Sequence, residues 1–194
     1  MLVYENKNLE LEAYSLESDR WEDLVTLFGE RGGCGGCWCM SWRLKKSVFE
    51  GQKGEMNKNA LKALVDNEEP VGILAYIDGV PIGWCAVAPR EKYKRLENSK
   101  VLKRIDDEPV WSITCLFISK ENRRKGISTE SIKASIKYCS LNDAQIIEAY
   151  PTVPYDDKVP DAFLWTGTPK SFFEADFKIA EQRSKWKLLL RYYI

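Results

Sequence analysis

Residues 111–128 read WSITCLFISKENRRKGIS, and this stretch decides the fold because three kinds of local sequence follow one another within it. The first part is an apolar run that includes Trp111, Ile113 and Cys115 and predicts a buried strand. A basic turn with one glycine follows at residues 123–126. A glycine lets the backbone approach an anion closely, and a helix that starts there presents free N–H groups and the positive end of its dipole. The stretch therefore predicts a phosphate site.

The residues after this turn have the periodicity of a helix. Ile132, Ser135, Ile136 and Cys139 fall at positions i, i+3, i+4 and i+7, so they share one face. We therefore expect one face of this helix to be buried against a sheet.

The turn has the form Arg-x-x-Gly-x-small, with Arg123, Gly126 and Ser128 at the defined positions. This form resembles the coenzyme A pyrophosphate loop of the GNAT family of N-acetyltransferases, in which the last position is glycine or alanine. The resemblance implies that acetyl-CoA is the acyl donor. It implies that the pyrophosphate is cradled by Arg123, Arg124, Lys125, Gly126, Ile127 and Ser128.

The same resemblance implies a place for the pantetheine arm and the thioester. In the family the signature strand splays from the next strand, so backbone groups at Leu116, Phe117 and Ile118 are expected to be free to pair with the donor. Thr168 is expected to join these donor-binding residues. A second local match combines residues 32–40 (GGCGGCWCM) with Thr166-Gly167-Thr168 and with Phe172-x-x-x-x-Phe177, and it resembles one group of uncharacterised bacterial GNAT proteins.

Composition limits the classes of function that are open to the chain. Its 194 residues contain 29 Lys and Arg and 29 Asp and Glu, so no overall charge recruits nucleic acid or a membrane surface. The absence of histidine excludes a Ser-His-Asp triad, an imidazole base and histidine-ligated metal. With no apolar run of membrane-spanning length and no signal-like start, we expect a cytoplasmic protein. We also expect it to be a monomer or a homodimer.

The rest of the chain predicts one domain over residues 1–194, with a Gly/Cys/Trp-rich loop at 31–43 and a charged insertion at 90–109. Asp78-Gly79 is a strong hairpin signal between two apolar runs. Together with the resemblance, the element order predicts an α/β (α+β) fold with a mixed, largely antiparallel sheet flanked by helices and a V-shaped splay between two central parallel strands. The predicted strands are 9–13, 71–77, 80–87, 111–118, 146–149 and a hairpin over 177–194, and the predicted helices are 21–28, opened by an Asp19-x-x-Glu22 capping box, 58–66, one ending near 141, and 168–175.

The catalytic residues are less constrained than the donor site. Without histidine, we favour Glu148 as the base, because it lies on the strand expected to flank the acetyl group; an ion-paired strand residue facing solvent is the alternative. The acidic run at residues 106–108 is a second candidate for the base. The family commonly protonates the leaving thiolate with a tyrosine, whose matching position here is Phe172, with Asp176 where glycine is usual. Thr168 or Ser171 could donate instead, the thiolate could leave unassisted, or the protein could bind without catalysing.

The Gly/Cys/Trp-rich loop admits three interpretations. Cys34, Cys37 and Cys39 could bind zinc, could supply a dithiol pair, or could simply pack with Trp38 beneath an acceptor pocket, and we favour packing. We expect no bound metal. Because the region between the first two helices shapes the acceptor site in this family, Trp38, Trp42 and Arg43 are the substrate-side candidates.

The sequence thus predicts an N-acetyltransferase that moves an acetyl group from acetyl-CoA to a primary amine of a small molecule or peptide by direct attack. A non-catalytic acyl-CoA sensor of the same fold is the alternative, and a thiol or metal module is a third. The acceptor is not identified, although loop carboxylates at Asp156, Asp157 and Asp161 would suit a cationic amine.

Overall fold

The computed structural model describes residues 1–155 and 159–194, so the loop carboxylates Asp156 and Asp157 lie outside the described residues. The strands are β1 (Leu2–Asn6), β2 (Leu11–Ser15), β3 (Gly72–Ile77), β4 (Val80–Pro89), β5 (Trp111–Ile118), β6 (Ile146–Ala149), β7 (Lys178–Ser184) and β8 (Lys187–Tyr193). The helices are α1 (Trp21–Phe28), α2 (Lys46–Gly51), α3 (Glu55–Asp66), α4 (Lys94–Glu97), α5 (Ile127–Ser140) and α6 (Pro169–Phe173). None of the described helices combines the length and the apolar character needed to cross a membrane.

The strands form one mixed sheet in the order β1-β2-β3-β4-β5-β6-β8-β7. The pairing of β5 with β6 is parallel, and the other neighbouring pairs are antiparallel. The parallel pairing covers Trp111–Ile113 of β5, opposite Ile147–Ala149 of β6, whereas β5 continues to Ile118. The two strands therefore separate beyond residues 113 and 149, and the predicted mixed α/β fold is confirmed.

The central strands bury both of their faces because helices cover the sheet on each side. Ile73, Cys85 and Val87 face the layer that contains α5, whose Ile132 and Cys139 are fully buried as the periodicity predicted. Leu74 and Trp84 face the opposite layer of α1, α3 and the 37–40 segment, where Leu24 of α1 and Leu61 of α3 are buried. Alternation along each strand thus divides the core into two layers.

The sequence prediction missed the first strand. Only Val3 of β1 is buried, so this edge strand lacks the apolar alternation that marks β2. Side chains hold β1 in place: the Tyr4 hydroxyl donates to the Glu130 carboxylate of α5 at 2.6 Å, and the Asn6 amide donates to the same oxygen at 2.8 Å.

The predicted turn between β3 and β4 is confirmed, whereas two predicted helix starts are not. The hairpin between β3 and β4 turns at Asp78 and Gly79, both at positive φ, as predicted. The predicted capping box does not form, because a 3₁₀ turn over Ser18–Arg20 precedes α1 and no side chain caps the helix at Arg20. α3 begins at Glu55, earlier than predicted, and α2 lies between the Gly/Cys/Trp-rich loop and α3.

The charged segment at residues 90–109 is more than a surface addition. It contains a 3₁₀ turn and α4, and it buries Tyr93, Leu96 and Leu102 in a small core cluster. Tyr150 at the end of β6 and Leu189 of β8 complete this cluster. The segment therefore covers the end of the sheet at which β5 and β6 are still paired.

We predict that Tyr4→Phe destabilises the protein by about 1.5–3 kcal/mol, the usual effect of losing a hydrogen bond to a charged group. Burial and Glu130 raise the pKa of Tyr4 from 10.0 to about 12, so its contribution is complete below pH 10 and is lost as the pH rises towards 12. Urea denaturation measures the effect, with Tyr155→Phe, a change on an exposed ring, as the control. Equal stability of the two variants would contradict the assigned bond.

Candidate active site

The turn between β5 and α5 has the backbone geometry of an anion site. Arg124 and Gly126 both have positive φ, at 60° and 81°, and Gly126 is the residue immediately before the helix. No side chain caps this helix start, and a Cβ built on Gly126 would have no atom within 4 Å. Open space therefore lies at the N-terminus of a 14-residue helix, which fits a bound phosphate group.

A cleft of about 920 Å³ includes this turn, the end of β5 and the Gly/Cys/Trp-rich loop. This volume lies within the usual range for small-molecule and cofactor sites, roughly 300–1,000 Å³. Ten of the predicted site residues line the cleft: Leu116, Phe117, Ile118, Arg123, Arg124, Gly126, Ile127, Ser128, Thr168 and Ser171. The structure thus brings the predicted donor site together, apart from Lys125.

Five predicted residues lie outside this lining: Lys125, Trp38, Trp42, Arg43 and, as described below, Glu148. Lys125 is exposed and its Nζ is 3.4 Å from the Asn122 Oδ1. Trp38, a residue of the Gly/Cys/Trp-rich loop itself, is buried and stacks on Trp21. Trp42 is partly buried and packs against the Tyr93 cluster and against Trp165. Neither ring lines the cleft, so the structure does not bring these tryptophans to the substrate side, and their role there stays a prediction. Arg43 is likewise buried, and it donates to the Pro70 carbonyl.

The gap between β5 and β6 is bridged by the segment 165–167, which we call the strap. The Leu116 N–H of β5 donates to the Trp165 carbonyl at 2.7 Å. On the other side, the Thr152 N–H beyond β6 donates to the Gly167 carbonyl at 3.0 Å. The prediction of free backbone groups on β5 is therefore wrong for the Leu116 N–H, and the Ile118 carbonyl also accepts a bond, from Arg123 Nε at 3.1 Å.

Packing and hydrogen bonds fix the strap in the gap. Gly167 has φ of +80°, and a Cβ there would lie 2.7 Å from the Phe172 ring and 2.8 Å from the Leu116 side chain. Behind the strap, Lys187 Nζ donates to Thr152 Oγ1 at 2.9 Å. Burial lowers the pKa of Lys187 to about 8.

Glu148, the predicted base, lies in a buried ion-pair cluster and does not line the cleft. Its carboxylate accepts from Arg90 Nη1 at 2.9 Å, from Arg191 Nη2 at 2.8 Å and from the Tyr150 hydroxyl at 2.7 Å. Arg191 also pairs with Asp106, the first residue of the acidic run, at 2.6 Å. This geometry gives Glu148 and Asp106 a structural role. The prediction that Glu148 acts from the edge of the acetyl site is corrected, because two arginines already neutralise it.

The position that matches the family's tyrosine is also internal. Phe172 is fully buried and packs against Phe177, with ring centroids 5.2 Å apart, while its neighbour Ser171 lines the cleft. Asp176 has φ of +65°, the left-handed conformation for which glycine is usual.

The Gly/Cys/Trp-rich loop forms the wall of the cleft opposite the turn before α5. Cys34, Cys37 and Cys39 all line it, and the Cys39 Sγ is 3.0 Å from the Cys115 Sγ of β5. A hydrogen bond to Cys39 and burial raise the pKa of Cys37, and a hydrogen bond to Cys115 raises that of Cys39. Within residues 1–155 and 159–194, no three or more Cys, Asp or Glu side chains are grouped so that they could hold a metal ion.

Several lining residues were not predicted. At the phosphate end these are Asn122, Thr129, Lys170 and Glu174, and at the opposite wall they include Phe28, Phe49, Lys53 and Trp165. Thr129 was within reach of sequence reasoning, because it lies in the first turn of the predicted helix. Phe49 and Lys53 carry no sequence signal, since a non-periodic loop brings α2 to the site.

We predict that Glu148→Gln destabilises the fold by about 3–5 kcal/mol, because it leaves two buried arginines without their shared carboxylate. Asp106→Asn is the matched control: it removes a carboxylate that is 39% exposed from the same Arg191, so its effect should be smaller. Denaturant titration measures both variants. If Glu148→Gln kept full stability and lost only turnover, the role as a base would be restored.

We predict that Gly167→Ala costs about 1–3 kcal/mol more than Gly35→Ala through overpacking. Both glycines have positive φ, at 80° and 55°, but only the Cβ at residue 167 would meet other atoms within 4 Å. Thermal unfolding of the two variants compares them directly. Equal losses would show that the strap is loosely held.

Comparison with known proteins agrees with this geometry. A model of the acetyltransferase (GNAT) family matches residues 38–162, which is more than half of the chain. No curated protein matches the sequence.

Solved structures of GNAT proteins share the fold at low identity. The PaiA N-acetyltransferase of Thermoplasma acidophilum, solved with coenzyme A, superposes with a TM-score of 0.52 at 14% identity, over 95% of this chain and 99% of that one. A putative arylalkylamine N-acetyltransferase of the yellow fever mosquito gives 0.57 at 14% identity, over 94% and 87%. The ribosomal-protein-S5-alanine acetyltransferase of Vibrio fischeri gives 0.54 at 13%, over 98% and 95%. On the family match, the chain belongs to the GNAT family of acetyltransferases.

Proposed function

We propose that this protein transfers an acetyl group from acetyl-CoA to a primary amine of a small molecule or peptide by direct attack. The observation that carries the proposal is the continuity of one cleft, which holds the open turn before α5 at one end and the end of β5 beside the strap in its middle. A structural neighbour was solved with coenzyme A, which supports the same donor here.

The chain supplies binding groups for the phosphates of the donor. The N–H groups at the start of α5 and the positive charges of Arg123 and Arg124 would face the pyrophosphate. Each contact with a helix N-terminus contributes about 0.3–1 kcal/mol at exposed sites, so useful affinity requires several of them together. The thioester arm would then lie along the cleft towards Leu116.

In the reaction, the neutral amine nitrogen attacks the thioester carbonyl carbon, a C–N bond forms and the C–S bond breaks. The sulfur takes up a proton as it leaves, and the Ser171 and Thr168 hydroxyls line the cleft as candidate donors. Since Glu148 is enclosed by arginines, we assign removal of the amine proton to water.

A non-catalytic acyl-CoA-binding protein of the same fold is the second candidate, and two observations favour it. The Leu116 N–H is already bonded to the strap, and the position of the family's tyrosine holds the buried Phe172. Turnover distinguishes the two functions, because a catalyst releases free coenzyme A when an amine is supplied and a binder does not.

We predict that acetyl-CoA binds with micromolar affinity and that Gly126→Glu abolishes binding by placing a negative side chain in the phosphate space. Isothermal titration calorimetry measures this, and Gly79→Glu is the matched control. Gly79 also has positive φ, at 73°, and also has no atom within 4 Å of an added Cβ, so it shares the backbone strain without the site.

Each result of this titration decides the donor. Loss of binding in Gly126→Glu alone supports the site, and release of thiol with an amine then supports transfer. Equal binding by both variants would overturn the phosphate assignment, and no binding by the native protein would remove the acyltransferase proposal.

A further inference from the structure

The cleft has two chemically different ends that meet at β5. One end carries the turn before α5 with Arg123 and Arg124, which we have assigned to the donor phosphates. The other end is a wall formed by the Gly/Cys/Trp-rich loop, α2 and Trp165, which we call the acceptor wall. If the donor occupies the first end, the acceptor has to enter against this wall, and the chemistry of the wall selects it.

The acceptor wall is apolar and rich in aromatic rings. Phe28 and Phe117 pack edge to face with centroids 5.3 Å apart, Phe49 of α2 is buried beside them in the same core layer, and Trp165 lines the cleft as well. Aromatic rings favour edge-to-face or offset contact with another ring. This surface therefore fits a flat or bulky apolar group.

The Cys39 thiol in the wall adds no charge. Cys39 and Cys115 are buried with their Sγ atoms 3.0 Å apart, and hydrogen bonding and burial raise the pKa of Cys39 well above its ordinary value. Neutral buried thiols behave as small hydrophobic groups. They extend the apolar surface from the rings to β5.

The charges in the cleft are arranged against a cationic acceptor. Among the side chains that the structure describes, the one carboxylate in the lining is Glu174, and it accepts from Thr129 Oγ1 at 2.8 Å at the phosphate end. The charged residue of the acceptor wall is Lys53, which is positive and pairs with Glu50 of α2. A second positive charge on an acceptor would lose its hydration there without gaining a partner among the described lining residues.

Resting on the proposed function, we propose that the acceptor is a primary amine on an aromatic or otherwise apolar body that carries no second charge. Because the described residues of the same wall offer no lining carboxylate for a second positive charge, we expect diamines, polyamines and lysine-containing peptides to be poorer acceptors.

The test compares benzylamine with 1,4-diaminobutane as acceptors and follows the acetyl-CoA-dependent release of thiol. We expect kcat/KM for benzylamine to exceed that for the diamine by about 100-fold, because only the diamine brings an uncompensated charge into the apolar wall. Equal values, or a preference for the diamine, would overturn the substrate class. Calorimetric binding of acetyl-CoA, measured in parallel, tests the donor site separately.

A variant that adds a negative charge to the acceptor wall gives a second test of the substrate class. Cys34 lines the wall and is exposed, so Cys34→Asp should fold normally and supply the missing partner, while Cys34→Asn is the neutral control. We expect the diamine-to-benzylamine ratio of kcat/KM to rise about tenfold in the Asp variant only. An unchanged ratio in both variants would contradict the wall assignment. Absence of turnover with every amine, with acetyl-CoA binding retained, would overturn the transferase proposal and the acceptor class with it.

Discussion

The fold and the site both depend on the limited parallel pairing of β5 with β6. The strands pair over three residues and then separate, and the gap gives the cleft its place in the sheet. At the paired end, Glu148 joins Arg90 of the 90–109 segment to Arg191 of β8, so one buried carboxylate links three parts of the chain. Buried ion pairs contribute little net stability, but breaking one is costly. The cluster therefore ties the 90–109 segment and β8 to β6 beside the short parallel pairing.

The parts of the structure that the sequence predicted are those set by local rules. Gly126 and the helix after it, the Asp78-Gly79 turn and the alternation along β4 and β5 follow from backbone conformation and hydrophobic period. The errors arose where tertiary contacts decide. Glu148 is a polar residue on a short strand in either interpretation, and only the arrival of two distant arginines shows that it is buried and paired. Trp38 could have faced the cleft or the core, and stacking on Trp21 decides for the core.

Only one of the two ends of the cleft could be predicted from the sequence, for the same reason. Its phosphate end is mainly one continuous segment, residues 122–129, to which Glu174 is added from a later part of the chain, so the sequence contains that end's glycine turn, basic residues and helix start. The opposite wall combines the cysteine loop, Phe49 and Trp165, which are more than 100 residues apart at their extremes. No short sequence motif indicates such a surface. The apolar surface of this wall, with Lys53 as a positive group, becomes visible only when the fold brings the aromatic rings and the thiols to one side of β5.

The bond between Leu116 and Trp165 has an energetic consequence for any ligand that reaches the gap. The strap already satisfies the β5 amide that a pantetheine carbonyl would use, so such a ligand would exchange one hydrogen bond for another and gain little from the exchange. The other contacts of the cleft would then have to distinguish acetyl-CoA from a free nucleotide. In its unliganded form the protein therefore competes with any ligand for this amide through the Trp165 carbonyl.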